Sequence, residues 1–176
     1  RGLDAHVAGK EDELRVIDFE TLCERHAGAV FRFALSLSGD RALAEDITSE
    51  TFVRVWTARA RVDLTTVAGY LLTIARHLYL QGVSRDRRRG QLGAEPADSN
   101  PGPHAQAEGR AELDAVLADL QILPEPDRAA LLMRAEDQLP YEEIAAALRI
   151  TAGAAKVKVH RARLKLAELR INRGRL

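Results

Sequence analysis

The chain has 176 residues, of which 26 are basic, 26 are acidic and 46% are hydrophobic. These values are ordinary for one or two globular domains and exclude a fibrous or wholly disordered protein. The longest apolar stretches, such as residues 145–148, are far shorter than the roughly 20 residues of a membrane helix, so neither a membrane span nor a secretory signal is predicted. Because the first residue is Arg1 rather than methionine, we expect a trimmed N-terminus.

The first predicted element is a long amphipathic helix. Apolar residues recur at spacings of three and four from Phe19 to Leu37, which places them on one face of a helix. Gly39 and Asp40 are typical residues for ending one helix and capping the next.

Two more helices are predicted before a change in composition. Residues 44–56 repeat the helical spacing, residues 59–66 are polar enough to form a loop, and residues 67–87 predict a third helix. No alternation of apolar and polar residues is long enough to predict a sheet. The sequence therefore predicts an all-α N-terminal domain over residues 13–90.

Residues 91–110 contain three prolines and three glycines and few large apolar side chains. Such a segment buries too little apolar area to offset the entropy of ordering, so a flexible linker is predicted here. A second all-α domain is predicted over residues 111–172.

This second domain begins with three predicted helices. Pro126 and Asp127 are suited to open the second of them, which fades near Asp137. Pro140 opens the third, a short helix that ends at Arg149. The first of the three predicted helices has an apolar face formed by Leu113, Val116, Leu117, Leu120 and Leu123.

The zero net charge hides a strong asymmetry along the chain. Residues 112–143 carry 9 acidic and 2 basic side chains, a net charge of −7, whereas residues 149–176 carry 1 acidic and 9 basic side chains, a net charge of +8. A basic segment of this kind indicates a nucleic-acid partner, with a solvated basic tail as the alternative.

The basic segment also has the pattern of a helix-turn-helix. A short helix, a tight turn at residues 149–151 and a longer helix follow one another, and the small residues 153–155 let the second helix approach a major groove. Its apolar residues are expected to pack on Ile144 and Leu148, with an amphipathic surface helix as the alternative. These apolar residues are Ala155, Val159, Ala162 and Leu166, and the basic residues left for phosphates and base edges are Lys156, Lys158, Arg161, Arg163 and Lys165.

Several motifs resemble bacterial extracytoplasmic-function sigma factors. LPEPDR at 123–128, YEEIA at 141–145 and HRAR at 160–163 are similar to the C-terminal DNA-reading domain of that family. AEDITSETFVRVW at 44–56 and GYLLTIARHL at 69–78 resemble its N-terminal helices. The resemblance implies a dissociable specificity subunit that binds a coiled coil of the largest subunit of core RNA polymerase.

It further implies recognition of duplex promoter DNA at the minus-35 element and of the melted non-template strand at the minus-10 element. An anti-sigma protein is expected as a further partner. We expect a cytoplasmic protein with no membrane insertion, no small-molecule substrate, no cofactor and no metal; attachment to the membrane through the anti-sigma partner is left open.

The family pattern also assigns residues to each partner. For the minus-35 element these are Thr151, Ala154, Lys156, Val157, Lys158, His160, Arg161, Arg163 and Lys165. For the minus-10 strand they are Tyr70, Arg76, His77, Arg85, Arg87, Arg88 and Arg89. For core polymerase they are Asp46, Glu50, Arg54 and Trp56, among which the charged residues have a plain helix surface as the alternative role.

Packing in the hydrophobic core is predicted, or is the alternative role, for some neighbouring residues. Phe52 and Val55 are expected to pack inside the domain, and Tyr70 and Tyr79 have a core position as the alternative to a stacking platform for a base. Cys23 lies on the apolar face of the first helix and is expected to be a buried core residue.

The chain departs from the family pattern at several positions. His77 and Gln81 replace the usual polar pair, Tyr70 stands where tryptophan is usual, and Ser49 replaces a glutamine. Arg149 replaces the turn glycine, so it must adopt a left-handed conformation or shift the turn. The start of the recognition helix has Ala154, Ala155 and Val157 instead of polar residues, which favours contacts with thymine methyl groups and readout of DNA shape.

The sequence favours a sigma factor over other classes of function. An enzyme is disfavoured because the five histidines, at positions 6, 26, 77, 104 and 160, do not cluster with carboxylates at catalytic or ligand spacing. A free-standing helix-turn-helix regulator that does not join polymerase remains an alternative, as does a helical adaptor without DNA function.

Overall fold

The computed structural model describes residues 19–58, 66–91, 107–136 and 138–174. In these residues the chain forms seven α-helices and no strand, which confirms the all-α prediction. The helices are α1 (Phe19–Ser38), α2 (Arg41–Ala58), α3 (Val67–Gln91), α4 (Ala107–Ile122), α5 (Glu125–Glu136), α6 (Tyr141–Leu148) and α7 (Ala152–Arg173).

The junction of α1 and α2 is built by the two residues that the sequence indicated. Gly39 has a φ of +71°, and its N–H donates to the carbonyl of Leu35 at 2.7 Å, which closes the last turn of α1. The carboxylate of Asp40 accepts the N–H of Leu43 at 3.1 Å and so caps the start of α2. The predicted end of one helix and start of the next are both confirmed.

Helices α1, α2 and α3 pack around a core that includes Phe33, Leu37 and Leu71, each of them fully buried. Phe52 is buried as expected, and Val55 is partly buried against the same cluster. Cys23, expected to be buried, is only partly so, although it packs against the same cluster. Each of the three helices contacts the other two, so they form a three-helix bundle.

Helices α4 to α7 form the second half, with Met133, Ile144 and Val159 at its centre. The apolar face of α4 is buried only from Leu117 onward. Leu113 and Val116 were expected on that face but are 48% and 50% exposed, because nothing among the described residues covers the first turns of α4. Periodicity identified the face of this helix but not how much of it is covered.

The two halves share one core. Their buried side chains form a single connected cluster, in which α3 packs against α5 and α6, and α1 packs against α4 and α5. Helix α3 continues four residues past the predicted end at residue 87, and α4 begins at Ala107, inside the predicted linker. The rest of that linker lies outside the described residues.

Within the described part of the chain, no helix is both long and apolar enough to cross a bilayer.

Candidate nucleic-acid interface

The turn between α6 and α7 depends on Arg149. Arg149 has φ 55° and ψ 48°, the left-handed conformation that was one of the two alternatives considered for it. Its N–H donates to the carbonyl of Ala146 at 3.3 Å, and the N–H of Ile150 donates to the carbonyl of Ala145 at 3.0 Å. This pair of bonds is a Schellman motif, which ends α6 at Leu148 and allows α7 to start at Ala152.

Helix α7 begins at a capped end. The backbone of Thr151 is extended, and its hydroxyl oxygen accepts the N–H of Ala154 at 3.1 Å. Thr151 is therefore the N-cap of the helix, and a Cβ added at Gly153 in the first turn would meet only the Thr151 hydroxyl, at 4.0 Å. Two of the residues predicted to face the minus-35 element, Thr151 and Ala154, thus set the start and direction of α7.

One face of α7 holds it against the domain. Ala155, Val159 and Ala162 are fully buried in the cluster that contains Ile144 and Leu148, as the spacing predicted. Leu166 is partly buried against the same cluster. The apolar face therefore anchors the helix and leaves the opposite face outward.

The outward face carries most of the predicted DNA-contacting residues. Lys156, Val157, His160, Arg161 and Arg163 are all exposed. Among the described residues, His160, Arg161 and Arg163 make no ion pair or side-chain hydrogen bond, so their donors are free to bind a ligand. The ammonium of Lys156 lies over the ring of Tyr141, 5.5 Å from its centroid.

Two predicted lysines are engaged in ion pairs instead. The Lys158 ammonium is 3.2 Å from the Asp127 carboxylate in α5, and the Lys158 side chain is only 24% exposed. Lys165 pairs with Glu168 one turn later in α7, at 3.0 Å. Helical spacing predicted that these lysines lie on the surface of α7 left for DNA. It could not predict that Asp127 of α5 reaches one of them.

A small cavity of about 280 Å³ lies between α2 and α3. It brings together Tyr70 and His77, predicted to face the minus-10 strand, with Arg54, predicted to contact polymerase. Beside it, the side chains of Gln81 and His77 lie 2.9 Å apart, and Arg54 donates to Gln81 at 3.3 Å. Two of the positions that depart from the family pattern, His77 and Gln81, therefore contact each other.

Arg76 does not join this group. Its guanidinium donates two hydrogen bonds to the Glu125 carboxylate, from Nε at 2.7 Å and from a terminal nitrogen at 2.8 Å. The two side chains are 17% and 18% exposed, so this ion pair is largely shielded from water. Arg76 belongs to α3 and Glu125 to α5, so the pair joins the two halves of the molecule.

The basic end of α3 supplies the remaining minus-10 candidates. Arg85, Arg87, Arg88 and Arg89 are all exposed in its last turns. Arg88 hydrogen-bonds Ser84 in its own helix, and Arg87 lines a cavity of about 400 Å³ between the halves. The ring of Tyr79 is partly buried in the core and its hydroxyl accepts from Arg128 at 3.2 Å, so the core alternative holds for Tyr79.

The polymerase candidates lie on the outer side of α2. Asp46 and Glu50 are exposed, and Glu50 pairs with Arg54 at 3.0 Å. Trp56 is 65% exposed and its ring meets Phe19 edge-on, with centroids 4.8 Å apart. Val53, which the sequence analysis did not single out, is 54% exposed on the face of Asp46 and Glu50. Its signal was an apolar residue at helical spacing among exposed charges.

Comparison with known families accounts for both halves of the chain. Residues 22–89 match the family model of Sigma-70 region 2, and residues 113–166 match that of Sigma-70, region 4. The chain is 35% identical over 166 residues to the ECF RNA polymerase sigma factor SigE of Mycolicibacterium smegmatis, covering 89% of this chain and 63% of that protein. It is 31% identical over 160 residues to the ECF RNA polymerase sigma factor SigL of Mycobacterium tuberculosis, covering 86% of this chain and 90% of that protein.

Two solved structures have the same arrangement of helices. The sigma factor RpoE in complex with the anti-sigma factor NepR, from Bartonella quintana, is similar with a TM-score of 0.75 and 26% identity, over 88% of this chain and 97% of that one. CnrH in complex with the cytosolic domain of CnrY is similar with a TM-score of 0.64 and 25% identity, over 86% of each chain.

Proposed function

Because the chain belongs to the extracytoplasmic-function sigma factors of RNA polymerase, we propose that it directs promoter-specific transcription initiation and has no catalytic residues of its own. The observation that carries the proposal is that two separate surfaces, the outward face of α7 and the outer side of α2, present charged and apolar side chains that the fold itself does not use. One surface suits duplex DNA, and the other suits a protein partner.

The outward face of α7 is proposed to read the minus-35 element. Lys156, Arg161 and Arg163 supply charge for phosphates and donors for guanine acceptors, and Val157, which is 50% exposed, can contact a thymine methyl group. The buried face of α7 keeps these residues in register, because it is packed against α6.

The N-terminal half is proposed to bind core polymerase and the opened minus-10 strand. Trp56 and Val53 offer exposed apolar area flanked by Asp46 and Glu50, the mixture expected of a protein interface. The arginines at the end of α3 offer a positively charged track for the melted backbone, and Tyr70 and His77 line a cavity beside it.

The family matches argue against the free-standing regulator. Its front half would be an unrelated sensing domain, whereas residues 22–89 match Sigma-70 region 2. A helical adaptor without DNA function leaves the exposed residues His160, Arg161 and Arg163 of α7 without a role. Both alternatives are therefore weaker than the sigma factor.

An anti-sigma protein is proposed as the regulatory partner, and the bacterial cytoplasm as the location. The support is that the RpoE structure similar to this chain is a complex with an anti-sigma factor. A pull-down from source cells with the tagged chain, followed by identification of the bound proteins, tests this; no such partner under any growth condition argues against it.

Run-off transcription with purified core RNA polymerase tests the main proposal. Specific transcripts are expected only when the chain is added, and they are expected to disappear with Lys156→Ala plus Arg161→Ala. Arg170→Ala is the matched control, since Arg170 is an exposed arginine of the same helix that lies five residues beyond Lys165, the last residue assigned to the minus-35 element. Tight binding to duplex DNA without polymerase, and no transcript, would contradict the proposal and favour a regulator.

A further inference from the structure

We propose that the free protein holds itself closed through two acidic side chains of its C-terminal half, one of which binds Arg76, a residue assigned to the minus-10 strand. The clasp, as we name it, consists of the Arg76–Glu125 and Thr66–Glu143 contacts. It rests on the proposed function, because Arg76 is one of the residues assigned to the melted strand. Strand binding then requires the clasp to open.

The first half of the clasp uses the same bonding that a phosphate would use. Glu125 accepts two nearly parallel N–H bonds from Arg76, at 2.7 and 2.8 Å, and this forked geometry is the one with which arginine binds both carboxylates and phosphates. One guanidinium edge cannot hold both anions. The carboxylate of Glu125 therefore competes directly with the DNA backbone for Arg76.

The second half lies at the start of α3. The Thr66 hydroxyl donates to the Glu143 carboxylate at 2.6 Å, although Glu143 is only 5% exposed. The same carboxylate is so close to Gly69 that a Cβ added there would lie 2.8 Å from it. A buried carboxylate is costly unless it is satisfied, and here the positive end of α3 offsets that cost.

Weaker contacts surround the clasp. Arg32 pairs with Glu136 at 2.9 Å, and the Gln121 side chain donates to the carbonyl of Ser36 at 3.1 Å. Arg32 is 60% exposed, so its pair with Glu136 contributes little. These contacts extend the interface between α1 and the C-terminal half without involving a residue assigned to DNA.

The clasp predicts a measurable change in the affinity of the protein for single-stranded DNA. If only a fraction of the molecules is open, the apparent affinity for single-stranded DNA is lowered by that fraction. A change that weakens the clasp without touching a DNA-contacting residue must therefore tighten strand binding. Glu125→Gln is such a change, because it keeps the size of the side chain and removes the charge that holds Arg76.

The first test measures binding of a short fluorescein-labelled oligo-dT strand to the full-length protein by anisotropy, without polymerase. Glu125→Gln is expected to bind roughly tenfold more tightly than the wild type. Glu142→Gln is the control, because this substitution removes the same charge from the same half of the chain at an exposed residue. Equal affinities of the two variants would overturn the proposal, since a general charge effect would then explain any gain.

The second test measures opening itself and does not depend on DNA. Spin labels are placed at Ala42→Cys and Ala146→Cys in a Cys23→Ala background, at two exposed sites in different halves. A single narrow distance distribution is expected for this labelled protein, and a population at longer distances when Glu125→Gln is added. An unchanged distance distribution would overturn the clasp even if transcription behaves as proposed.

A second variant protects the test against misfolding. If circular dichroism shows that Glu125→Gln does not fold, Glu143→Gln takes its place, because it keeps the size of the side chain and removes the charge from the other contact of the clasp. It is expected to shift the distances and the oligo-dT affinity in the same direction, by about two- to threefold. No shift in either would overturn the proposal. Loss of run-off transcripts by the wild type would instead contradict the proposed function.

Discussion

The hydroxyl of Thr66 is shared between the two halves of the molecule. It accepts the N–H of Gly69 at 3.2 Å, which caps α3, and it donates its own proton to the carboxylate of Glu143 at 2.6 Å. The start of α3 is thus stabilised by its own N-cap and by a carboxylate whose charge is favourable at that end of a helix. The hydroxyl of Thr66 therefore caps a helix of the N-terminal half and, at the same time, contacts the C-terminal half.

Gly69→Ala tests this arrangement against an otherwise similar site. Alanine favours a helix over glycine by about 1 kcal/mol, but a Cβ at position 69 must displace the Glu143 carboxylate, so we expect a loss of about 1–2 kcal/mol in the free energy of unfolding. Gly82→Ala in the same helix meets nothing within 4 Å and is expected to stabilise by about 0.5–1 kcal/mol. Urea unfolding measures both; a gain at position 69 would show that the carboxylate moves freely.

Arg149→Gly is expected to stabilise the helix-turn-helix. A left-handed residue with a side chain costs about 1–2 kcal/mol, and glycine removes that cost but loses more entropy on folding, so the net gain is about 0.5–1 kcal/mol. Arg149→Ala removes the same charge but keeps the Cβ, so it is not expected to stabilise. Equal midpoints for the two variants in chemical denaturation would show that the charge, not the conformation, matters.

Trp56→Ala is expected to weaken binding to core polymerase at least tenfold while changing the free energy of unfolding by less than about 1 kcal/mol, because the side chain is 65% exposed. Phe52→Ala in the same helix is the contrast, since its side chain is 7% exposed and its loss costs about 3–5 kcal/mol. A pull-down with core enzyme and a thermal melt separate the two effects. Unchanged polymerase binding by the Trp56 variant would remove this residue from the proposed interface.

Lys158 and Arg161 are expected to respond differently to mutation although both are basic residues of α7. Arg161→Ala removes an unpaired charge, so it is expected to lower the slope of log affinity against log salt by about 1 in holoenzyme binding to duplex promoter DNA. Lys158→Ala leaves Asp127, which is 7% exposed, without its partner and is expected to cost about 1–3 kcal/mol of stability. An equal change in salt slope for both would mean that Lys158 leaves Asp127 when DNA binds.

Cys23 offers a probe of the folded state. Burial raises the pKa of its thiol, so less of the reactive thiolate is present at a given pH than for an exposed cysteine. Alkylation by iodoacetamide is therefore expected to be slow in the native protein, to rise to half its maximum at a higher pH than in a model peptide, and to become fast in denaturant. Equal rates in native and denatured protein would show that α1 opens readily.

Local features of this fold followed from the sequence because their causes are local. Gly39 ends α1 through its own positive φ, and Ala155 and Val159 fall on the buried side of α7 because four residues separate them on a helix. Arg149 was confined to two alternatives by its place in the turn, and the structure adopts one of them.

Contacts between residues that are far apart in the sequence could not be predicted from the sequence. Arg76 and Glu125 are 49 positions apart, and nothing in spacing or local charge indicates which of many acids an arginine will meet. For the same reason Lys158 was predicted to face DNA although Asp127 reaches it. The exposure of Leu113 was also missed, because periodicity defines an apolar face but not the element that covers it.

The separation of Arg76 and Glu125 along the chain also has a consequence during synthesis. A ribosome that adds about 5–20 residues per second needs about 2–10 s to go from the arginine to its glutamate, 49 positions later. During that interval the nascent N-terminal half has no intramolecular acid at this position. In a newly made chain, Arg76 is therefore available to other anions before the clasp with Glu125 can form. The speed of translation sets the length of that interval.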